Sequence, residues 1–216
     1  MDLKVIYELS EANSGMTDIE RLTTIYAYLS SVLELGVPGA IAEVGCNIGY
    51  TSAFLQKINH SQSSGLPREV HVYDSFQGLP TPGTADQYLA EGQLSVSTDE
   101  FCANVKSWGV PLPEIHAGWF DETLEDSLPD EIAFCYLDGD FYESTLTGLQ
   151  AVVPRLSPGG VLIVDDYCDL EYAPRSWDGL PGVKKACDEY FGASGLRVQP
   201  LVGIGDLSFA LYRSPL

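Results

Sequence analysis

Basic residues are scarce in this chain of 216 residues, which has 11 lysines and arginines against 31 aspartates and glutamates and a formal net charge of −20. A surface with that balance repels phosphate backbones and anionic headgroups, so we expect no nucleic-acid or membrane partner. Apolar runs are also short, far below the roughly 20 residues that a membrane-spanning helix needs. The first residues do not form a signal peptide. These absences predict a soluble cytoplasmic protein.

Closely spaced metal-binding and disulfide-forming side chains are missing as well. The five cysteines are scattered and odd in number, which argues against a disulfide framework or a cysteine-based zinc site. The three histidines, His60, His71 and His116, lie far apart in the sequence. That separation disfavours a histidine-rich metal site.

The three-glycine fingerprint of dinucleotide-binding proteins is absent, and so is the lysine of a phosphate-binding loop. Instead, Gly45 and Gly49 stand four residues apart at a predicted strand-to-helix turn. Gly45 lets a ligand approach the backbone, and Gly49 allows the turn before a helix whose first N–H groups are free. Glu43 lies just before the turn. An acid at that position suits a cationic or zwitterionic ligand better than a pyrophosphate.

Short apolar runs alternate with helical patterns along most of the chain. This alternation predicts an α/β fold with a doubly wound, mostly parallel sheet, formed by residues 1–216 as a single domain. A capping box at Thr17–Glu20 begins the main helix of an N-terminal helical segment, 1–36. Ser144 is predicted to cap a later helix. The predicted strands cover 40–45, 69–73, 114–117, 134–137 and 161–164, and the last two apolar stretches, 196–202 and 207–212, suit an antiparallel pair. Two long irregular segments, 78–95 and 168–182, are predicted to be lids or acceptor loops.

Acidic residues follow two of the predicted strands at the point where each strand ends. Asp138 and Asp140 follow one apolar run, and Asp165 and Asp166 follow the next. The carboxyl ends of parallel strands meet at the ligand-binding edge of an open sheet, so these acids should converge and repel one another. A divalent cation relieves such repulsion, and oxygen ligands favour Mg²⁺, Mn²⁺ or Ca²⁺. The alternative is that each acid caps the helix that follows it.

Asp74 occupies the corresponding position at the end of the second predicted strand. An acid there can accept hydrogen bonds from two ribose hydroxyls, and together with the glycine turn it gives the layout of a nucleoside site. The alternative is that Asp74 only caps a turn with Ser75.

Several segments of the sequence resemble the macrocin O-methyltransferase family, which methylates sugar hydroxyls during natural-product biosynthesis. The matching segments are Gly36–Gly39, Asp74–Pro80, Ala117–Leu124, Leu137–Thr145 and Ser157–Tyr167. The resemblance implies a class I methyltransferase with a seven-stranded Rossmann-like sheet that uses S-adenosylmethionine and Mg²⁺ or another divalent cation.

The resemblance also implies roles for individual residues. Asp138, Asp165 and Asp166 are expected to hold the metal, and Asp140 is expected to act as the base. The cofactor is expected to contact Glu43, Gly45, Cys46, Gly49, Tyr50, Thr51, Asp74, Ser75, Gly118, Trp119 and Asp138. The expected acceptor is a sugar-bearing small molecule, and a homo-oligomer is left open.

Other functions remain as alternatives at this point. A methyltransferase acting on a catechol or another vicinal diol would use the same cation. A nucleotide-binding dehydrogenase would need a fuller glycine fingerprint. A non-catalytic nucleoside-binding module would not need the metal and base positions that the sequence retains.

Overall fold

The protein was analysed as a computed structural model, which describes residues 2–63 and 65–216. The helices are α1 (Lys4–Ala12), α2 (Ile19–Glu34), α3 (Tyr50–Gln62), α4 (Thr98–Ser107), α5 (Phe120–Ser127), α6 (Tyr142–Val152) and α7 (Pro181–Ser194), and a 3₁₀ turn spans Val153–Arg155. The strands are β1 (Ala40–Val44), β2 (Val70–Asp74), β3 (Glu114–Ala117), β4 (Ile132–Leu137), β5 (Leu156–Val164), β6 (Gln199–Pro200) and β7 (Ala210–Arg213).

The seven strands form one sheet in the order β3-β2-β1-β4-β5-β7-β6. The first five strands in this order are parallel, whereas β7 runs antiparallel to β5 and β6 runs antiparallel to β7. This confirms the predicted doubly wound sheet with an antiparallel C-terminal pair. The strand order reverses between β1 and β4, so a crevice opens there at the carboxyl ends of the parallel strands.

The central strands are buried on both faces, and alternate side chains enter two different helical layers. On β4, Phe134 and Tyr136 pack with residues of α1, α2 and α3. Cys135 and Leu137 pack with residues of α5, α6 and α7 on the opposite face. Burial on both faces explains why these strands are continuous apolar runs. A continuous run also means that the first polar residues appear only where the strand leaves the core.

The predicted capping box at the start of α2 is wrong in its details. Asp18, not Thr17, caps the helix, with its Oδ1 accepting the N–H of Arg21 at 2.7 Å. Glu20 does not fold back onto the helix terminus. Its carboxylate accepts the N–H groups of Ile204 and Gly205 at 2.7 and 2.8 Å, because that distant loop offers two free donors.

The predicted cap of α6 at Ser144 is also wrong, since the helix begins at Tyr142. The first N–H of this helix is bonded by a residue far away in sequence: Asp86 Oδ1 accepts it from Tyr142 at 3.1 Å. The buried carboxylate of Asp86 thereby fixes the first irregular segment to the helix that follows the acidic strand end. Helix α5 was not predicted, because its eight residues are mostly polar and bury Leu124 alone.

No helix within residues 2–63 and 65–216 combines the length and the apolar character needed to cross a bilayer.

Candidate active site

A cavity of about 860 Å³ opens at the carboxyl ends of β1, β2, β4 and β5. Most of the residues predicted to bind the cofactor line it, namely Glu43, Gly45, Cys46, Tyr50, Thr51, Asp74, Ser75, Trp119 and Asp138. Gly49 and Gly118 form backbone turns with positive φ beside other lining residues. The predicted metal and base residues Asp138, Asp140, Asp165 and Asp166 line the same cavity.

The turn after β1 lies against the end of β4, and only glycine fits at its first position. A Cβ atom on Gly45 would lie 1.9 Å from the carbonyl oxygen of Asp138, and the residue has a φ of +90°. Asp138 also donates its N–H to the carbonyl of Val44 at 2.8 Å. The glycine therefore brings the turn and the acidic strand end into direct contact.

Asp74 holds the same turn from the other side. Its Oδ2 accepts the N–H groups of Cys46 and Asn47 at 3.1 and 2.9 Å, and its Oδ1 accepts the N–H of Phe76 at 2.8 Å. Asp74 therefore does cap backbone turns, but its partners are Cys46, Asn47 and Phe76 rather than Ser75. A carboxylate offers about four acceptor positions, so these bonds leave capacity for hydroxyl donors from the cavity.

Glu43 is almost completely buried at the base of the cavity, where Ser52 donates its hydroxyl to the carboxylate. Burial raises the pKa of Glu43 to about 8, an effect that the Ser52 hydrogen bond only partly opposes and the charge of Asp74 reinforces. A carboxyl group with this pKa is poised to ionise near neutral pH. A cationic ligand in the cavity would favour its charged form.

We expect a Glu43→Gln substitution to remove a pH-dependent loss of stability. An ordinary glutamate titrates near pH 4.5, so between that pH and about 8 the folded protein keeps a proton that the unfolded chain has lost. The stabilisation from this group is complete at low pH and disappears as the pH rises. The wild type should therefore lose on the order of 2–4 kcal/mol relative to the variant between pH 5 and pH 8 in urea unfolding.

Glu8→Gln makes the same chemical change at an exposed position and serves as the matched control. Parallel stability curves for the wild type and the Glu43→Gln variant would contradict the raised pKa of Glu43.

Three carboxylates converge beside the glycine turn. One oxygen from each of Asp138, Asp140 and Asp166 lies within 4.8 Å of the others. Burial raises the pKa of Asp138 well above its usual range, and so do the charges of the neighbouring carboxylates. The pKa of Asp166 is raised by the same two causes. Clustered acids with raised pKa values favour the binding of a cation, because a cation stabilises their charged forms.

The side chain of Asp165 has different contacts from that of the adjacent Asp166. Its side chain is buried, accepts the hydroxyl of Tyr136 and lies 3.6 Å from Nε of Arg21. Burial raises the pKa of Asp165, and Arg21 and the hydrogen bonds oppose that rise. Both residues lie in the turn after β5, where Asp166 has a φ of 57°. Asp165 lines the same cavity, but the group of carboxylates close enough to share an ion contains Asp138, Asp140 and Asp166 and not Asp165.

Arg21 was missed by sequence reasoning although it is the basic group nearest to these acids. It lies 3.0 Å from Asp18 and 3.3 Å from Asp206, and it donates to Ser208 at 2.9 Å. A signal was present: Arg21 continues the apolar stripe of α2 at the spacing i, i+4, i+8 with Ile25 and Leu29. A cation on the buried stripe of a chain with few cations indicates a buried acidic partner.

Asp140 adopts a left-handed backbone conformation with a φ of 56°. Such a conformation is uncommon for residues other than glycine, and aspartate and asparagine tolerate it best. Burial raises the pKa of Asp140 to about 7, with further contributions from the charges of Asp165, Asp74 and Asp86. A carboxylate with a pKa near the working pH is suited to accept a proton.

An apolar part of the cavity lining comes from the two irregular segments predicted to be loops. Segment 78–95 contributes Tyr88 and Leu94, and segment 168–182 contributes Trp177 and Leu180. The rings of Tyr88 and Trp177 meet edge to face, with centroids 5.2 Å apart. The two loops thus meet in the lining of the cavity that also holds the acidic cluster.

The chain is similar to known proteins both in sequence and in structure. A model of the Macrocin-O-methyltransferase (TylF) family matches residues 8–189. The chain is 35% identical over 163 residues to the 8-demethyl-8-(2,3-dimethoxy-alpha-L-rhamnosyl)-tetracenomycin-C 4'-O-methyltransferase of Streptomyces olivaceus, a match covering 70% of this chain and 62% of that protein. It is 32% identical over 185 residues to the demethyldecarbamoylnovobiocin O-methyltransferase of Streptomyces niveus, covering 81% of this chain and 66% of that protein.

Among solved structures, the O-methyltransferase NovP superposes with a TM-score of 0.80 at 29% sequence identity, covering 93% of this chain and 82% of NovP. The matches to the two Streptomyces relatives span 62% and 66% of those proteins' lengths, slightly less than two thirds in each case.

Proposed function

The chain belongs to the macrocin O-methyltransferase family, and from that premise we propose that it transfers a methyl group from S-adenosylmethionine to a hydroxyl of a sugar-bearing natural product. One observation carries this proposal: a single cavity holds the glycine turn with Asp74, the cluster Asp138, Asp140 and Asp166, and an apolar wall. The glycine turn with Asp74 suits a nucleoside, and the acidic cluster suits a proton transfer. The apolar wall suits an acceptor larger than a bare sugar. The S. olivaceus relative is named for a rhamnosyl-bearing acceptor.

In this proposal the cofactor occupies the β1–β2 side of the cavity. Asp74 accepts the ribose hydroxyls with the acceptor positions that its backbone bonds leave free. Glu43 provides a buried acid for the positive end of the ligand. Trp119, which follows β3 and lines the cavity, offers a flat ring for stacking on the base.

The acidic cluster fits a divalent cation by its donor set. Carboxylate oxygens are the ligands that Mg²⁺ prefers, and the pKa values of Asp138 and Asp166 are raised by burial and by a mutual repulsion that a cation would relieve. We place the ion on these two residues. Ligation by Asp165, which the family resemblance implies, would replace its contacts to Arg21 and Tyr136. A bound cation would supply Lewis acidity, lowering the pKa of a hydroxyl beside it.

The residues of the chain then have distinct tasks in the transfer. Methyl transfer is an in-line displacement at the sulfonium carbon, so most of the acceleration comes from aligning the acceptor oxygen opposite the leaving sulfur. The wall formed by Tyr88, Leu94, Trp177 and Leu180 holds the acceptor and excludes water. Asp140 takes the proton that the hydroxyl loses as the C–O bond forms.

We expect Asp74→Ala to weaken binding of S-adenosylmethionine by about 1–3 kcal/mol in titration calorimetry, the range for lost hydrogen bonds to a charged group. Asp99→Ala changes an exposed aspartate and should bind like the wild type. A thermal melt of the unliganded variant reports separately on the loss of the Cys46 and Asn47 bonds. Unchanged affinity would remove Asp74 from the cofactor site.

The acceptor class is tested by mass spectrometry with isotopically labelled S-adenosylmethionine. Glycosylated natural products, free sugars, and catechols are offered in parallel. A gain of one labelled methyl on the sugar of a glycosylated acceptor is the expected result. Methylation of catechols alone would replace the sugar assignment by a vicinal-diol one, and binding without transfer to any acceptor would favour a nucleoside-binding module.

A further inference from the structure

A second group of potential metal ligands lies on β2 and β3, outside the residues that line the cavity. The parallel register pairs His71 with Glu114 and Tyr73 with His116. Side chains two apart on a strand share a face of the sheet, so His71, Glu114 and His116 are neighbours on one face. The sequence argued against a histidine site because 45 residues separate the two histidines. Strand pairing removes that separation.

The ligand atoms of these three side chains converge. His71 Nδ1 lies 3.1 Å from His116 Nε2. The Glu114 carboxylate lies 3.8 Å from His71 Nδ1 and 3.9 Å from His116 Nε2. One atom from each residue falls within 4.8 Å of the other two. Two imidazole nitrogens and one carboxylate oxygen are thus close enough to share one ion after small side-chain adjustments.

The two histidines are largely buried and make specific contacts with their neighbours. Their side chains are only 8% and 14% exposed. The ring of His116 stacks on Tyr73 at a centroid distance of 4.5 Å and an interplanar angle of 9°. The buried Nε2 atom of His71 has no hydrogen-bond partner. It lies 3.6 Å from a carboxylate oxygen of Glu69.

The unpartnered Nε2 atom of His71 is consistent with metal binding through Nδ1 of the same ring. A histidine that binds a metal through one nitrogen usually donates its other N–H to a carboxylate. If His71 presents Nδ1 to an ion, its proton resides on Nε2 and points towards Glu69. The alternative use of the pair is a hydrogen bond between the two imidazoles, which leaves the Nε2 atom unexplained.

We propose that His71, Glu114 and His116 bind one transition-metal cation of the Zn²⁺ class, with Glu69 as the outer partner of His71. Imidazole nitrogen with one carboxylate suits Zn²⁺ and disfavours Mg²⁺, so this site and the acidic cluster select different ions. Three protein ligands leave one coordination position open. An ion here links β3, the edge strand of the sheet, to β2. This site does not depend on the proposed methyl transfer.

The test is a zinc titration of the untagged full chain by calorimetry, with Mg²⁺ in excess to occupy the acidic cluster. The wild type should bind one equivalent of Zn²⁺, and its melting temperature should rise by roughly 5–10 °C at 100 times the dissociation constant. His71→Gln and His116→Gln should weaken zinc binding by about 100-fold or more. Glu69→Gln should weaken it by about 10–100-fold, as expected for an outer partner.

Two further variants make the result decisive. Glu114→Gln changes a largely exposed side chain and should fold normally, so its loss of zinc binding cannot be attributed to unfolding. His60→Gln changes an exposed histidine on α3 and should bind zinc like the wild type. The proposal is overturned if the His71, Glu114 and His116 variants all retain wild-type affinity. It is also overturned if Asp166→Asn abolishes zinc binding instead, or if the wild type binds no zinc.

Discussion

Replacing Asp140 by asparagine should lower turnover by roughly 10²–10⁴-fold, the usual contribution of a general base. The amide keeps the size of the side chain but cannot accept the proton of the acceptor hydroxyl. Asparagine is the right substitute for a second reason: Asp140 has a φ of 56°, which asparagine also tolerates, whereas alanine would add backbone strain. Single-turnover rates measured with saturating cofactor and Mg²⁺ give the chemical step directly.

Binding and folding supply the controls for this variant. S-adenosylmethionine affinity should stay close to that of the wild type, because Asp140 is not assigned to the cofactor. Asp130→Asn alters an exposed aspartate and should leave the rate unchanged. If the Asp140→Asn variant melts early but reacts at the wild-type rate, Asp140 only shapes the turn after β4 and another group takes the proton.

The base assignment also fixes the direction of the pH dependence. Burial and the nearby charges of Asp165, Asp74 and Asp86 raise the pKa of Asp140 to about 7 in the metal-free protein. A bound cation would lower this pKa, so the acidic limb of kcat/KM should lie at or below about pH 7. The rate should fall tenfold per pH unit along that limb, since only the deprotonated carboxylate accepts a proton. The limb should disappear in Asp140→Asn.

The strand ends could be predicted from the sequence because their cause is local. A strand buried on both faces must be apolar until it leaves the core, so the first carboxylates after Leu137 and Val164 mark the edge of the sheet. The parallel topology then determines that both edges coincide. For the same reason the positions of Glu43 and Asp74 beside the cavity followed from the ends of β1 and β2.

The partners of these residues could not be predicted, because they come from distant parts of the chain. Arg21 meets Ser208 across 187 residues, and Glu20 meets Ile204 across 184. Asp86 caps a helix that begins 56 residues later. Such contacts depend on how distant loops pack against the helices. The local capping rules therefore assigned Glu20 to the terminus of α2 and Ser144 to that of α6, whereas Glu20 bonds a distant loop and the distant Asp86 bonds the first N–H of α6.

The division between Asp165 and Asp166 is a case where local geometry and long-range packing act together. The sequence indicated that two adjacent acids share an ion only where the backbone turns. The turn includes Asp166, but Asp165 contacts the buried Arg21 and Tyr136 and does not join the group of Asp138, Asp140 and Asp166. A buried arginine needs a charged partner, so Asp165 stabilises the fold even before any ligand is present.

Removal of the divalent cation should reduce turnover by roughly 10²–10³-fold or more, which corresponds to the several kcal/mol that a Lewis acid contributes. The expectation rests on the convergence of Asp138, Asp140 and Asp166 and on their mutual repulsion, which the charge of Arg21 only partly offsets at Asp166. Exhaustive chelation followed by added Mg²⁺ should abolish and then restore activity. Full activity in protein shown to be metal-free by elemental analysis would refute the metal assignment.

Variants of the two adjacent acids should separate metal binding from structural support. Asp166→Asn should raise the Mg²⁺ concentration needed for half-maximal activity. It should also stabilise the metal-free protein above neutral pH, because it removes a carboxyl group whose pKa is raised by burial and by the charge of Asp165. Asp165→Asn should lower the melting temperature, because it leaves Arg21 without its buried partner. It should weaken Mg²⁺ binding less than Asp166→Asn, since Asp165 adds negative charge near the cluster without joining it. Equal losses of Mg²⁺ affinity in both variants would show that Asp165 leaves Arg21 to bind the ion.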